Sequence, residues 1–117
     1  MTKQSQALDR VFAALSDPTR RTMVARLARG PASVSELARP FPISLPSIVQ
    51  HLKVLEESGL VKSAKTGRIR TCRIEPKRLD AAQTWLSKQR ALWEARFDRL
   101  DALLKEESED EWDKLGS

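Results

Sequence analysis

The hydrophobic period of this 117-residue chain changes at Gly59. Before it, Ile48, Leu52 and Leu55 fall at i, i+4 and i+7, the inward stripe of an amphipathic helix. After it, Leu60 to Ile74 is enriched in Val, Ile and Thr and split by Thr66-Gly67, the pattern of a two-stranded hairpin. Gly59 itself stands where a left-handed helix C-cap is wanted. A capped helix that hands over to a hairpin within one residue leaves few folds open.

The flanking elements narrow the choice. Leu8, Val11, Phe12 and Leu15 predict a first helix over 7–15. Asp17 is a good N-cap for a second, with Pro18 at its first position, Met23, Val24 and Leu27 as its core stripe, and Gly30-Pro31 at its end. Ser33-Val34-Ser35-Glu36 reads as a capping box for a short third helix with Val34, Leu37 and Ala38 inward, stopped by Pro40 and Pro42. Ser44 can cap the fourth helix, which tolerates Pro46 in its first turn and runs to Ser58. Beyond Pro76 a long helix is expected from about Lys77 to Lys105, followed by an acidic, disordered tail over 106–117. The expectation is one mostly α domain, residues 1–105, with a small β-hairpin: a winged helix-turn-helix that dimerises through its terminal helices.

Charge is spread unevenly. Residues 1–105 hold 20 Lys and Arg against 10 Asp and Glu, whereas 106–117 hold one lysine against six acids. Within 60–78, Lys62, Lys65, Arg68, Arg70, Arg73, Lys77 and Arg78 face Glu75 alone. Such one-sidedness points to an anionic partner, with duplex DNA the first candidate and a membrane surface or acidic protein weaker ones. No run reaches the length of a membrane span, and the polar start Met1-Thr2-Lys3-Gln4 carries no secretory signal, so a cytoplasmic protein is expected. One cysteine and one histidine leave no internal disulfide and little for a metal.

The fourth helix has the layout of a recognition helix. Leu45, Val49, Gln50 and Lys53 lie opposite the inward stripe, with Ser44, Pro46 and Ser47 near its start. Small or hydrogen-bonding groups in the first turns allow entry into a major groove, and Gln50 can pair with adenine. A solvated amphipathic helix has the same pattern. The hairpin distinguishes the two, because Lys65-Thr66-Gly67-Arg68-Ile69-Arg70 makes a basic tip suited to phosphates. In it Gly67 supplies the positive φ of the turn, and Arg68 and Arg70 alternate onto one face.

The last helix is too long for its own domain: about 29 residues make roughly 43 Å, against about 30 Å for a domain of this size. One apolar stripe runs 82, 86, 93, 97, 100, 104 and a neighbouring one 85, 92, 103, which implies two packing partners. A homodimer seam is therefore expected at Trp85, Leu86, Leu92, Trp93, Phe97 and Leu100, helped by Leu8 and Phe12. Two-fold symmetry in turn implies a palindromic operator with half-sites near 34 Å apart.

Ala14-Leu15-Ser16-Asp17-Pro18-Thr19-Arg20-Arg21, then Ser35-Glu36-Leu37-Ala38, then Val49-Gln50-His51-Leu52-Lys53-Val54-Leu55-Glu56-Glu57-Ser58-Gly59-Leu60-Val61 resemble the ArsR (arsenical-resistance repressor) family of winged-helix regulators. The likeness covers roughly residues 7–104. It implies a dimeric bacterial transcription factor, usually a repressor released from its operator by a signal. Metal-sensing members carry cysteines where this chain has Val34 to Arg39, or Asp, Glu and His pairs on the last helix. Here the third helix has no cysteine and the last no histidine, so no metal and no cofactor are expected, and the small-molecule effector stays open. The resemblance points to the branch without a metal sensor, whose members tend to repress their own operons. Two positions depart from the family: Val49 replaces a usual serine, and Cys72 a usual tyrosine in the second strand. A valine there can touch a thymine methyl or weaken a phosphate contact.

His51 lies between the helix faces and can serve a phosphate or base contact or a packing role. Cys72, alternating with Ile74, reads as a buried strand residue rather than a redox switch. Trp112 can dock on the body or belong to the disordered tail. The competing class is a winged helix that binds protein without DNA, and the basic hairpin argues against it. An enzyme is not expected, since the chain has neither a phosphate loop nor a catalytic pair in an apolar setting.

Overall fold

The computed structural model describes residues 2–116, with the side chains of residue 4 and of residues 109–116 excepted. The chain divides into two compact units, residues 1–82 and 83–117. The element order is α1 (Lys3–Leu15), α2 (Pro18–Leu27), β1 (Ala32–Ser33), α3 (Val34–Ala38), α4 (Leu45–Glu57), β2 (Val61–Thr66), β3 (Ile69–Ile74) and α5 (Pro76–Gly116). Three antiparallel strands form one sheet in the order β1-β3-β2. This is a winged helix-turn-helix, mostly helical with a small sheet, as the sequence pattern implies.

Local chemistry sets most of the boundaries. Asp17 accepts from the Arg20 backbone N–H at 2.9 Å, Ser33 from Glu36 at 3.1 Å and Ser44 from Ser47 at 3.3 Å, each satisfying a donor that a helix start leaves unpaired. The Glu36 carboxylate accepts the Ser33 hydroxyl at 3.2 Å and pairs with Arg26 at 3.5 Å. At the end of α4, the buried Ser58 hydroxyl donates to the Leu55 carbonyl at 2.7 Å and accepts from the Leu60 N–H at 3.3 Å. Gly59 then takes φ +83°, and a Cβ there would lie 2.8 Å from Arg78 Nε and 2.9 Å from Arg78 Cγ. The dihedral favours glycine, and any larger residue would also have to displace the exposed Arg78 side chain.

The hairpin turn is equally specific. Thr66 pairs with Ile69, leaving Gly67 and Arg68 as a two-residue loop. Gly67 has φ +63° and no non-glycine residue has positive φ among the described residues, the pattern of a type II′ turn.

The core of the first unit draws on every element from α1 to the start of α5. Val11 and Ala14 of α1, Met23 and Leu27 of α2, Leu37 of α3, the stripe Ile48, Leu52 and Leu55 of α4, Val61 of β2 and Cys72 of β3 are all buried, with Ala82 closing the cluster. Leu8 and Phe12, expected at a dimer seam, are half-buried against this core.

Three expectations change. First, α1 begins at Lys3 rather than residue 7, because the Thr2 hydroxyl caps it by accepting from the Ser5 N–H at 3.1 Å. Second, β1 escapes the periodicity: two residues are too few for an alternation, and their place is set by pairing Ala32 with Cys72 and Ser33 with Thr71. Third, α5 continues past Lys105 to Gly116, through residues rich in good helix formers. Trp112 lies outside the residues whose side chains are described.

Candidate nucleic-acid interface

Helix α4 is two-faced. Ile48, Leu52 and Leu55 are buried, whereas Ser44, Leu45, Pro46, Ser47, Val49, Gln50 and Lys53 are exposed. The first turn is slim and carries hydroxyls, with the Ser44 and Ser47 oxygens 3.0 Å apart. The exposed side of the helix therefore offers hydroxyl, amide, apolar and cationic groups, a set able to contact base edges and phosphates.

His51 is not on that exposed side. It is half-buried, with Nδ1 3.2 Å from Arg20 Nη1 and 3.8 Å from an Asp17 carboxylate oxygen. A guanidinium only donates, so in the contact with Arg20 it is Nδ1 that accepts. Arg20 also donates through Nε to the Ala14 carbonyl at 2.7 Å and through Nη2 to the Ala13 carbonyl at 3.2 Å. One guanidinium thus reaches two carbonyls near the end of α1 and meets α4 through His51. Sequence reasoning missed this role for Arg20. Its one visible signal is a cation placed within a turn of a helix end, inside the Asp17–Arg21 run.

Asp17 faces the same cluster. The Arg20 backbone N–H, ahead of the nearby Arg20 guanidinium, holds its carboxyl below the ordinary carboxylate range. A depressed folded-state value means the stabilisation is present above the unfolded value and is lost as pH falls through the folded one. Asp17→Ala should therefore lower the thermal midpoint by a few degrees at neutral pH, with the gap to wild type closing below about pH 4. Equal midpoints at pH 7 in paired melts would contradict the capping role.

The wing carries its cations in opposed pairs. Lys65 stands directly across from Arg70, and Lys62 from Arg73. Like charges so placed repel each other unless an anion lies nearby. Lys62 has one, Glu75, at 3.2 Å. Arg70 donates from Nη1 to the Ser63 hydroxyl at 2.8 Å, and that hydroxyl donates to the Glu56 carboxylate of α4 at 2.6 Å. This relay ties the wing to the end of α4, and neither Glu56 nor Ser63 was legible as part of the site. Strand alternation puts Lys65 and Arg70 on the same face as Ser63 and Cys72. Arg68 does not share that alternation with Arg70, contrary to the sequence reading, because it sits in the two-residue turn beside Gly67, exposed at the tip with Thr66.

Cys72 is fully buried behind the wing. Burial pushes its thiol up, and Glu56 adds to the effect against a smaller opposing influence of Arg70. Among the described residues no group of three or more His, Cys, Asp or Glu could hold a metal ion, and no helix is long and apolar enough to cross a membrane.

The second unit, taken by itself, is a helix with an apolar stripe in the open. Leu86, Leu92, Trp93, Phe97, Leu100 and Leu104 are each more than half exposed, and Trp85 slightly less. Arg90 with Glu94 at 2.9 Å and Lys105 with Asp101 at 3.5 Å support the helix along its length.

Comparisons with known proteins agree with this geometry. A family model described as a helix-turn-helix domain matches residues 15–64. An HTH-type transcriptional regulator of Mycobacterium tuberculosis is 40% identical over 102 residues, covering 87% of this chain and 92% of that protein. The transcriptional repressor SdpR of Bacillus subtilis is 36% identical over 61 residues, 52% of this chain and 68% of that protein. A crystal structure of an ArsR family transcriptional regulator superposes with a TM-score of 0.74 at 49% identity, covering 80% of this chain and 97% of that one. The chain belongs to the ArsR family of winged helix-turn-helix transcriptional regulators.

Proposed function

We propose that the chain is a homodimeric repressor that sets α4 of each protomer into the major groove of a palindromic operator and grips the flanking phosphates with the β2–β3 hairpin. The observation that carries this reading is the division of α4: Ser47, Val49, Gln50 and Lys53 are exposed beside a cationic hairpin, while Ile48, Leu52 and Leu55 are buried. In it Gln50 contacts a base edge, Lys53, Lys65 and Arg68 meet phosphates, and Arg70 supports the wing through Ser63. The exposed stripe of α5 supplies the surface for the second copy, which sets half-sites near 34 Å apart. The reading extends to a cytoplasmic protein that acts on its own promoter, without catalysis, cofactor or metal. A protein-binding winged helix has no need of the cations Lys65 and Arg68 exposed at the end of the hairpin.

A gel-shift titration across a salt series tests the docking. Arg68→Ala should weaken binding to all duplexes alike and reduce the log–log salt slope by about 0.9 for each phosphate no longer neutralised. Gln50→Ala should instead blur preference among sequences, removing about 1–3 kcal/mol of discrimination at one base pair. Unchanged operator affinity in both variants would overturn the model.

A further inference from the structure

The outward face of α4 carries two apolar side chains where a helix facing only water would be polar. Leu45 is 57% exposed and Val49 51%, although both belong to the helix whose other side supplies the core. They stand four residues apart, which stacks them on one ridge with Cβ atoms about 5–6 Å apart. Gln50 follows directly and Lys53 lies one turn further on, both exposed.

We infer that Leu45 and Val49 read thymine methyl groups in the major groove, beside an adenine read by Gln50, so that each half-site is chosen for A·T pairs. This rests on the DNA-binding reading of α4 given above. Neither side chain has a donor or an acceptor, so neither replaces the serine-type contact to phosphate. In the major groove the apolar feature of the base-pair edges is the C5-methyl of thymine. Against guanine O6 and N7 or cytosine N4, the same side chains would strip water from polar groups and return no hydrogen bond. The ridge therefore attracts A·T and penalises G·C, and both effects contribute to specificity. Charge selects the occupant: Lys53 on the same face and the cations of the adjoining hairpin favour a polyanion over an apolar protein segment. The spacing fits as well, since about 5–6 Å lies between one and two base-pair steps of roughly 3.4 Å.

The test replaces thymine with uracil, which removes the methyl and nothing else. Preferred duplexes are first selected from a randomised pool with the full-length chain, then scanned one thymine at a time. Two positions per half-site should respond, each uracil weakening wild-type binding about fourfold, the effect of one buried methyl-sized group. Val49→Ala should lose about the same factor on the thymine duplex and become indifferent to uracil at one of those positions. Leu45→Ala should do so at the other, and both variants should melt like wild type because their side chains are exposed. If uracil were tolerated everywhere while Gln50→Ala still blurred sequence preference, methyl reading would be overturned and α4 would keep its place in the groove. Sensitivity to uracil that persisted undiminished in both alanine variants would also overturn it. A selection that returned no preferred duplex would bring down the DNA-binding reading together with this one.

Discussion

A Trp93→Glu, Phe97→Glu double variant sediments as a monomer and falls to non-specific DNA affinity, a loss of at least about a thousandfold. The two side chains stand one turn apart on α5, at 68% and 61% exposure, within a stripe that reaches Leu104. A soluble chain rarely leaves such a contiguous apolar surface open, and aromatics of this kind dominate association energies when a partner covers them. Placing two carboxylates there leaves uncompensated charges at the centre of any seam. The effect on DNA is larger than on assembly because each protomer reads one half-site: a lone subunit keeps about half of the specific binding free energy, which lands it in the non-specific range near 10⁻⁴–10⁻⁶ M. Sedimentation velocity and gel shift on the same samples check both halves of the expectation. A variant that stayed dimeric would place the seam elsewhere, and a monomer that bound the full operator as tightly as wild type would remove the need for two-fold docking.

The second large effect concerns stability. Leu55→Ala should cost about 3 kcal/mol, within the range for emptying a well-packed leucine site. Leu55 is fully buried in the cluster to which α1, α2, α3, α4 and the sheet all contribute, and it sits on the same helix as the proposed base-reading residues. For a unit of this size that is a large share of a total commonly between about 5 and 15 kcal/mol. Urea titration should show the midpoint falling with the slope unchanged. Lys53→Ala, on the opposite side, should stay within about 0.5 kcal/mol of wild type. A Leu55→Ala loss below about 1 kcal/mol would mean that α4 is not packed as described.

The parts of the fold legible in the sequence are those that local chemistry decides. Asp17, Ser33 and Ser44 announce helix starts because a side-chain oxygen must meet an unpaired N–H. Ile48, Leu52 and Leu55 announce the buried face of α4 through their period, and Gly59 and Gly67 mark positive φ. What escaped is whatever distant residues decide. β1 exists because Ala32 meets Cys72, forty positions away in the chain. His51 turns inward because Arg20, freed by the α1–α2 break, offers it a donor, and no spacing rule relates positions 20 and 51. Arg70 is exposed, but the Ser63 hydroxyl that restrains it stands on the other strand, where no local pattern ties the two. The start of α1 was missed for another reason: Lys3 to Gln6 carry no apolar stripe, so only the Thr2 cap reveals that they are helical.

Ser63 has a single proton, which goes to Glu56, and its oxygen is taken by Arg70. Swinging the hairpin away from the helix therefore breaks the Ser63–Glu56 bond, while the Arg70–Ser63 bond moves with the hairpin. On the docking proposed above, the chain meets its target as a caliper with preset jaws, one resting on the groove floor and the other on the neighbouring strand. An A-form duplex, with a deep and narrow major groove, does not fit that opening. That docking should turn double-stranded RNA away on shape, before a single base edge has been inspected.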